Sequence, residues 1–268
     1  MSIIGEVNLF TGVILFVAGF SGAIIGSIGG SGGLVAVPVL LSLGVPPVTA
    51  LSTNKYQSTV AKLGMVYSLA KSGWLKKFPT YFIITSTIAA AVYSALGAFL
   101  VLHTSQKINI EWVLVFLQLV IIFYLARIWF FVKKKKKDKV KKIEHLEGKK
   151  YIVYRVVSGL ICLYDGFFGP GTGNFLFLLF EKIGFSTKKS LVLKHIFNFS
   201  SNLGGALVFL IYAQGSLLFT MLMIAGSFLG GYFGTMVITR IKMKKVRKII
   251  IVVTSVMLLI QVTALLLK

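Results

Sequence analysis

The sequence predicts an all-α protein that crosses a membrane several times. Three observations carry that reading. The first is composition: 56% of the 268 residues are hydrophobic and the mean hydropathy is +0.88, against about 45–50% apolar residues in a soluble domain. The second is arrangement. Residues 79–102, 112–132, 216–239 and 249–267 form long apolar runs, each sufficient for the ~20 helical residues that cross ~30 Å of hydrocarbon. The third is the absence of the alternating pattern of a barrel strand. Lipid admits only helices and closed barrels, so a helical bundle follows.

The net charge of +22 is distributed in a way that excludes a nucleic-acid binder. Lys and Arg lie mostly in short loops between apolar runs, as the positive-inside rule requires. The block Lys133–Lys137 lies just outside an apolar run, where it suits anionic lipid head groups. Cys162 is the single cysteine, so a disulfide framework and a cysteine metal site are excluded. No metal and no cofactor are expected. The N-terminus carries Glu6 in place of a basic region, which does not fit a signal peptide.

The chain repeats itself. An offset of 140 residues places Gly26 on Gly166, Gly29 on Gly169, Gly33 on Gly173, Gly44 on Gly184 and Gly64 on Gly204. The first repeat spans 1–132, a basic linker expected in the cytoplasm spans 133–150, and the second repeat spans 151–268. Equivalent loops differ in charge. The loop with Lys71, Lys76 and Lys77 is basic, whereas its counterpart Ala213–Ser216 is neutral. Loop 103–111 is nearly neutral, whereas Arg240–Lys248 is strongly basic. Equivalent loops therefore face opposite sides, which predicts an inverted repeat.

Inversion requires an odd number of crossings in each half. The run Leu34–Leu43 amounts to about 15 Å of helix, half a bilayer, and Phe175–Phe180 is also short. Residues 10–43 and 151–184 are therefore expected to be re-entrant hairpins with glycine-rich tips. Three crossing helices then remain per half, and both termini lie outside the cytoplasm. Ten crossing segments are the alternative.

The two breaks carry the candidate site. The first contains Gly29, Gly30, Ser31, Gly32 and Gly33; the second runs from Asp165 through Gly169, Pro170, Gly171, Thr172 and Gly173. Each precedes a short helix, starting near Leu34 and Asn174. Free N–H groups and a partial positive charge at such starts suit a small anion. The bland alternative is close packing of helices through small residues, which is the role expected of Gly97 in its unbroken run.

Polar side chains inside the long runs extend the candidate site. Lys55, Ser58 and Lys62 share a helix face by spacing, with Asn54 and Gln57 nearby; Lys194, Asn198 and Ser201 share another, with Asn202 beside it. Lysine at mid-membrane costs about 2.5–3.5 kcal/mol on insertion scales and needs a partner or a cavity. A bound anion would serve as that partner, although snorkelling also explains Lys55 and Lys194. Asp165 and His195 are candidates for proton coupling, and Asp165 equally for a pair with one of the lysines.

These stretches resemble the TauE/SafE family of sulfite and organosulfonate exporters, over roughly residues 10–267. The first half matches through Gly29–Leu34 with Pro38, then Thr53–Lys55 with Gln57. The second matches through Tyr164–Gly173, YDGFFGPGTG, followed by Lys194, Asn198 and Ser201–Gly204. The resemblance implies a prokaryotic inner-membrane permease for sulfite, sulfoacetate and related anions. Lys62 and Leu193 depart from the family pattern, which usually has a small or uncharged residue and a threonine there. Two other classes compete. An anion channel is barely separable from a carrier by sequence. An intramembrane serine protease would use Ser31 and His195, but Gly171 stands at the position of Ser31 in the second repeat, and His195 lacks the flanking context of rhomboid proteases.

Overall fold

The computed structural model describes residues 9–28, 32–105, 149–212 and 217–238, with single positions in 107–123 and 252–266. Residues Gly29–Ser31 of the first break, most of the linker, the loop Ala213–Ser216 and the basic segment Arg240–Lys248 lie outside the described residues. All regular structure among the described residues is helical. The order is α1 (Leu9–Ile28), α2 (Gly33–Ser42), α3 (Pro47–Lys71), α4 (Thr80–Thr104), α5 (Lys149–Phe167), α6 (Thr172–Ile183), α7 (Thr187–Tyr212) and α8 (Leu217–Ile238).

The two short helices end alike. Val45 N–H bonds Leu40 O at 3.0 Å after α2, and Phe185 N–H bonds Phe180 O at 3.0 Å after α6. These bonds close the turns that follow Gly44 and Gly184 and satisfy carbonyls that a terminating helix leaves free. Pro47 opens α3, a position where its missing N–H costs nothing.

The bundle is inverted in polarity relative to a soluble protein. On α4, Ile84, Ile88, Val92 and Leu96 recur every fourth residue and are each at least 50% exposed. The opposite face buries Ser86, Ala90, Ser94 and Gly97. Leu207 and Leu210 of α7 and Phe228 of α8 are also exposed. Water would penalise so large an apolar surface, whereas lipid tails solvate it and leave small residues for helix contacts. Leu9–Ser27 and Thr80–Thr104 are by length and composition able to cross a membrane unaided.

Helix pairings follow one rule. α1 packs along α8 and α4 along α5; α3 packs on α7 and α8, and α7 on α3 and α4. α2 touches α1 and α3, and α6 touches α5 and α7. Exchanging the first four helices for the last four maps this set of pairings onto itself, with α3–α7 as its own image. Small residues set the distances. A Cβ on Gly166 of α5 would overlap the carbonyl of Ser94, and one on Gly230 of α8 would overlap that of Phe20.

Two apolar cores close the ends of the bundle. One gathers α2 with Leu15 and Ala18 of α1, Leu51 of α3, Val101 of α4 and Phe209 of α7. The other gathers Leu176 and Phe180 of α6 with Tyr154, Phe82, Phe185 and Val192. They lie at opposite ends of α4 and α7. Between them runs a belt of buried polar side chains, which includes Ser52–Lys55 on α3, Asp165 on α5 and Lys194–Asn202 in part on α7.

Gly97 costs more to replace than its place in an unbroken run suggests. A Cβ there would overlap the Leu163 carbonyl and lie 2.8 Å from Phe167 N, so even alanine must push α5 away. Nothing lies within 4 Å of a Cβ on Gly64, where alanine gains about 0.5–1 kcal/mol of helix propensity. Thermal unfolding in detergent should therefore show Gly97→Ala well below the parent and Gly64→Ala at or above it. Equal midpoints for the two variants would contradict the close α4–α5 contact.

Candidate functional site

The second break is built by a helix end that folds back on itself. Phe168 N–H and Gly169 N–H both bond Tyr164 O, at 2.8 and 3.3 Å. Gly169 has φ +96° and Gly171 has φ +87°, conformations open to glycine at little cost. The Tyr164 hydroxyl donates to Pro170 O at 2.7 Å, and the Thr172 hydroxyl donates to Gly169 O at 2.7 Å. α6 then starts at Thr172. Because Gly169 N–H is committed to Tyr164, the carbonyl of Asp165 loses its in-helix partner. Lys55 Nζ of α3 donates to it.

The same lysine meets the side chain. Lys55 Nζ lies 3.1 Å from Asp165 Oδ2, with both groups buried. That oxygen also accepts from Ser201 Oγ at 2.6 Å and Asn202 Nδ2 at 3.2 Å. Asn202 is held in turn by Asn198, through its carbonyl at 2.6 Å and Oδ1 at 3.1 Å. A carboxylate with one cation and two neutral donors has its desolvation cost largely offset.

Lys194 makes the reciprocal contact across the halves. It is buried on α7 and donates to Gly26 O, near the end of α1, at 3.1 Å. Each lysine thus meets a carbonyl near the end of the other half's first helix, where the helix dipole favours a cation. Ser27 Oγ approaches Met65 Sδ at 3.9 Å, which sets this end of α1 beside the turn of α3 that follows Lys62. Lys62 is partly exposed and lies about two turns along α3 from Lys55. His195 is buried beside Lys194.

The two breaks touch. Gly32 caps α2, its carbonyl accepting from Val35 and Ala36 N–H at 3.0 and 3.1 Å. A Cβ on Gly32 would come within 2.8 Å of Gly22 O, and one on Gly33 within 2.9 Å of Asn54 Nδ2 and 3.2 Å of Pro170 Cγ. Thr172 and Gly173 are buried, and Asn174 Nδ2 is buried without a hydrogen-bond partner among the described residues. Gln57 Nε2 donates to Asn54 Oδ1 at 3.1 Å, and Ser58 Oγ stands 3.5 Å from the same atom. Gly30 and Ser31 lie outside the described residues.

Some participants escape a reading of the sequence. Ser227 of α8 donates to Gln57 Oε1 and stands 3.2 Å from Gly19 O. Only its place in a small-residue stripe, between Gly226 and Gly230, hinted at a buried role. Ser94 is fully buried, and its hydroxyl has no hydrogen-bond partner among the described residues. A cavity of about 110 Å³ lies away from this belt, between α4, α5 and α7, with Tyr93, Tyr154 and Arg155 in its wall. Its lining omits every residue expected from the sequence, and its chemistry is that of a groove between helices. Among the described residues no three His, Cys, Asp or Glu side chains are grouped to hold a metal.

The belt therefore brings two buried lysines and one carboxylate to the ends of α1 and α5. The chain's relatives are described as membrane transporters. Residues 14–260 match the family model described as sulfite exporter TauE/SafE. A probable membrane transporter protein of Haemophilus influenzae is 34% identical over 232 residues, covering 85% of each chain. The probable membrane transporter protein ORF9 of a Sinorhizobium species is 33% identical over 254 residues, covering 93% of this chain and 91% of its own. The Escherichia coli K12 probable membrane transporter protein YfcA is 29% identical over 250 residues, covering 93% and 88%. No solved structure matches the chain. With most of its length under one family model, and a helical bundle that turns apolar side chains outward, the chain belongs to the TauE/SafE family of membrane transporters.

Proposed function

We propose that the protein is a secondary transporter of the prokaryotic inner membrane that exports small anions, sulfite or organosulfonates such as sulfoacetate. One observation carries the anion: among the described residues two buried lysines, Lys55 and Lys194, share the belt with one buried carboxylate, Asp165, which Lys55 already pairs. Excess positive charge in a low-dielectric interior is costly until an anion enters. The starts of α2 and α6 converge on the same region through Gly33 and Pro170, and a helix N-terminus favours negative charge. The sulfur rests on the family description. The candidate pathway residues are those of the two breaks together with Asn54, Lys55, Gln57, Ser58, Lys62, Lys194, Asn198, Ser201 and Asn202.

The architecture is best understood as an inverted repeat. The exchange symmetry of the helix pairings and the opposite placement of the α2 and α6 cores support it. α1–α2 and α5–α6 are then hairpins that enter and leave on one side, and both termini are outside. The linker 133–150 faces the cytoplasm, where its lysines meet anionic head groups.

Radiolabelled sulfite, sulfoacetate and chloride in proteoliposomes test the function. Saturable uptake of the sulfur anions, responsive to an imposed pH gradient, is expected. Unsaturable current marks a channel, and transport of none of a wide anion panel overturns the reading. Orientation has a separate test. An impermeant thiol reagent on whole cells should label a cysteine placed at Lys268 and spare one in the linker; the opposite pattern reverses the topology.

A further inference from the structure

α4 and α5 run side by side in the same direction and separate towards their starts. Ser86 of α4 meets Tyr154 of α5, Tyr93 meets Gly159, and Gly97 meets Leu163. Both numbers rise together, so the pair is parallel. Contact is closest at the far end, where a Cβ on Gly97 or Gly166 would overlap the opposite backbone. Nearer the starts the gap holds the cavity of about 110 Å³. One water needs ~10–15 Å³ of such space, so a group the size of a phosphate head can enter. Buried Phe197 of α7 forms the floor. Val156 and Tyr93, 53% and 39% exposed, stand at the mouth.

Among the described residues the wall holds one cation, Arg155, and no carboxylate. Arg155 lies about 9 Å along α5 from Lys149, a depth at which an arginine beside lipid is costly unless an anion meets it. Its guanidinium is 6.0 Å from the Tyr151 ring centroid, a contact that leaves its N–H donors for another partner. Ser86 and Tyr154 share one hydrogen bond at 2.8 Å. One hydroxyl donates it, and the other keeps a hydrogen with no acceptor among the described residues. Both helices leave basic segments: α4 follows Lys71, Lys76 and Lys77, and α5 follows the lysines of 133–150. Deeper along the pair, Val92 of α4 and Leu160 of α5 are exposed and aliphatic.

We propose that this groove binds an anionic phospholipid, with its phosphate on Arg155 and the Ser86–Tyr154 pair and its acyl chains along Val92 and Leu160. The wall selects the occupant. A guanidinium and a free hydroxyl hydrogen match a phosphate, and the aliphatic flank matches acyl chains. The basic segments at the helix starts draw anionic lipid to this leaflet. Free phosphate has no use for the flank, and a zwitterionic head brings its own cation to compete for the phosphate. The groove lies away from the polar belt, and the assignment is independent of the anion-transport reading.

Native mass spectrometry of the full-length protein with phosphatidylglycerol or phosphatidylcholine tests it. Ammonium acetate at about 0.2 M screens exposed charges and affects partly buried ones much less. The parent should retain one phosphatidylglycerol per chain and lose phosphatidylcholine. Arg155→Gln should weaken that retention about fivefold, the worth of one basic residue beside an anionic lipid, and Arg155→Lys should restore most of it. Val156→Trp keeps the charge but fills the mouth, and should weaken retention as much. Replacing Lys133–Lys137 by Gln should leave it unchanged, because those lysines attract lipid without a groove. Retention of neither lipid by the parent, or of both equally, overturns the proposal. So does parental retention in Arg155→Gln, which marks a snorkelling arginine, or a loss confined to the linker variant. Thermal midpoints in lipid-free detergent show which variants fold. Val156→Trp decides should Arg155→Gln fail to fold, and parental retention there overturns the groove in the same way.

Discussion

A helix that stops inside a bundle leaves carbonyl oxygens that its own ladder no longer satisfies, and at membrane depth water is not there to replace the missing donors. α5 stops in this way, its Gly169 N–H turned to Tyr164 O. Lys55 donates to the carbonyl of Asp165 and Lys194 to that of Gly26. The long reach of a lysine lets each half supply the donor that the other half needs. Once two lysines are committed to the interior, further features follow. A counter-charge is required, and Asp165 provides one. Its carboxylate needs its remaining lone pairs filled, and Ser201 and Asn202 fill them. The asparagine is then fixed by Asn198. The polar belt is a chain of obligations that begins at a broken helix.

The rest of the molecule isolates that belt. Apolar clusters around α2 and α6 close its two ends, and the outward faces of α4, α7 and α8 carry large aliphatic and aromatic side chains. Lipid offers no hydrophobic drive for helix association, so contact depends on close approach. That explains why glycine and serine line the helix interfaces and why Gly166, Gly204 and Gly230 each press on a neighbouring carbonyl. Tight interfaces and a polar middle are two answers to one solvent.

Much of this was legible in the sequence because it is local or periodic. The apolar runs gave helices, the short runs gave α2 and α6, and the glycine offset paired Gly44 with Gly184, where both short helices end with the same bonds. Asp165 stood out as the acid deep in an apolar run. The cross-half contacts were not legible. The offset that aligns the glycines sets Lys55 on His195 and Lys194 on Asn54, so symmetry alone does not predict that both lysines seek helix ends. Spacing put Lys55 and Lys62 on one face, yet it could not separate the paired lysine from the partly exposed one. Gly97 resembled any glycine in an apolar run, because the severity of its contact depends on the backbone of α5.

The contrast between the halves bears on how a carrier would release what it binds. A lysine without a counter-ion at mid-membrane costs about 2.5–3.5 kcal/mol on insertion scales, so an entering anion gains from relief of that cost as well as from direct contacts. Were both halves to carry an acid like Asp165, the interior would be neutral without substrate and an anion would meet little attraction. Were neither to carry one, the lysines would repel one another and bind an anion too firmly to release it. One internal carboxylate leaves an intermediate charge. The frame is shared by the two halves, and the charge is not.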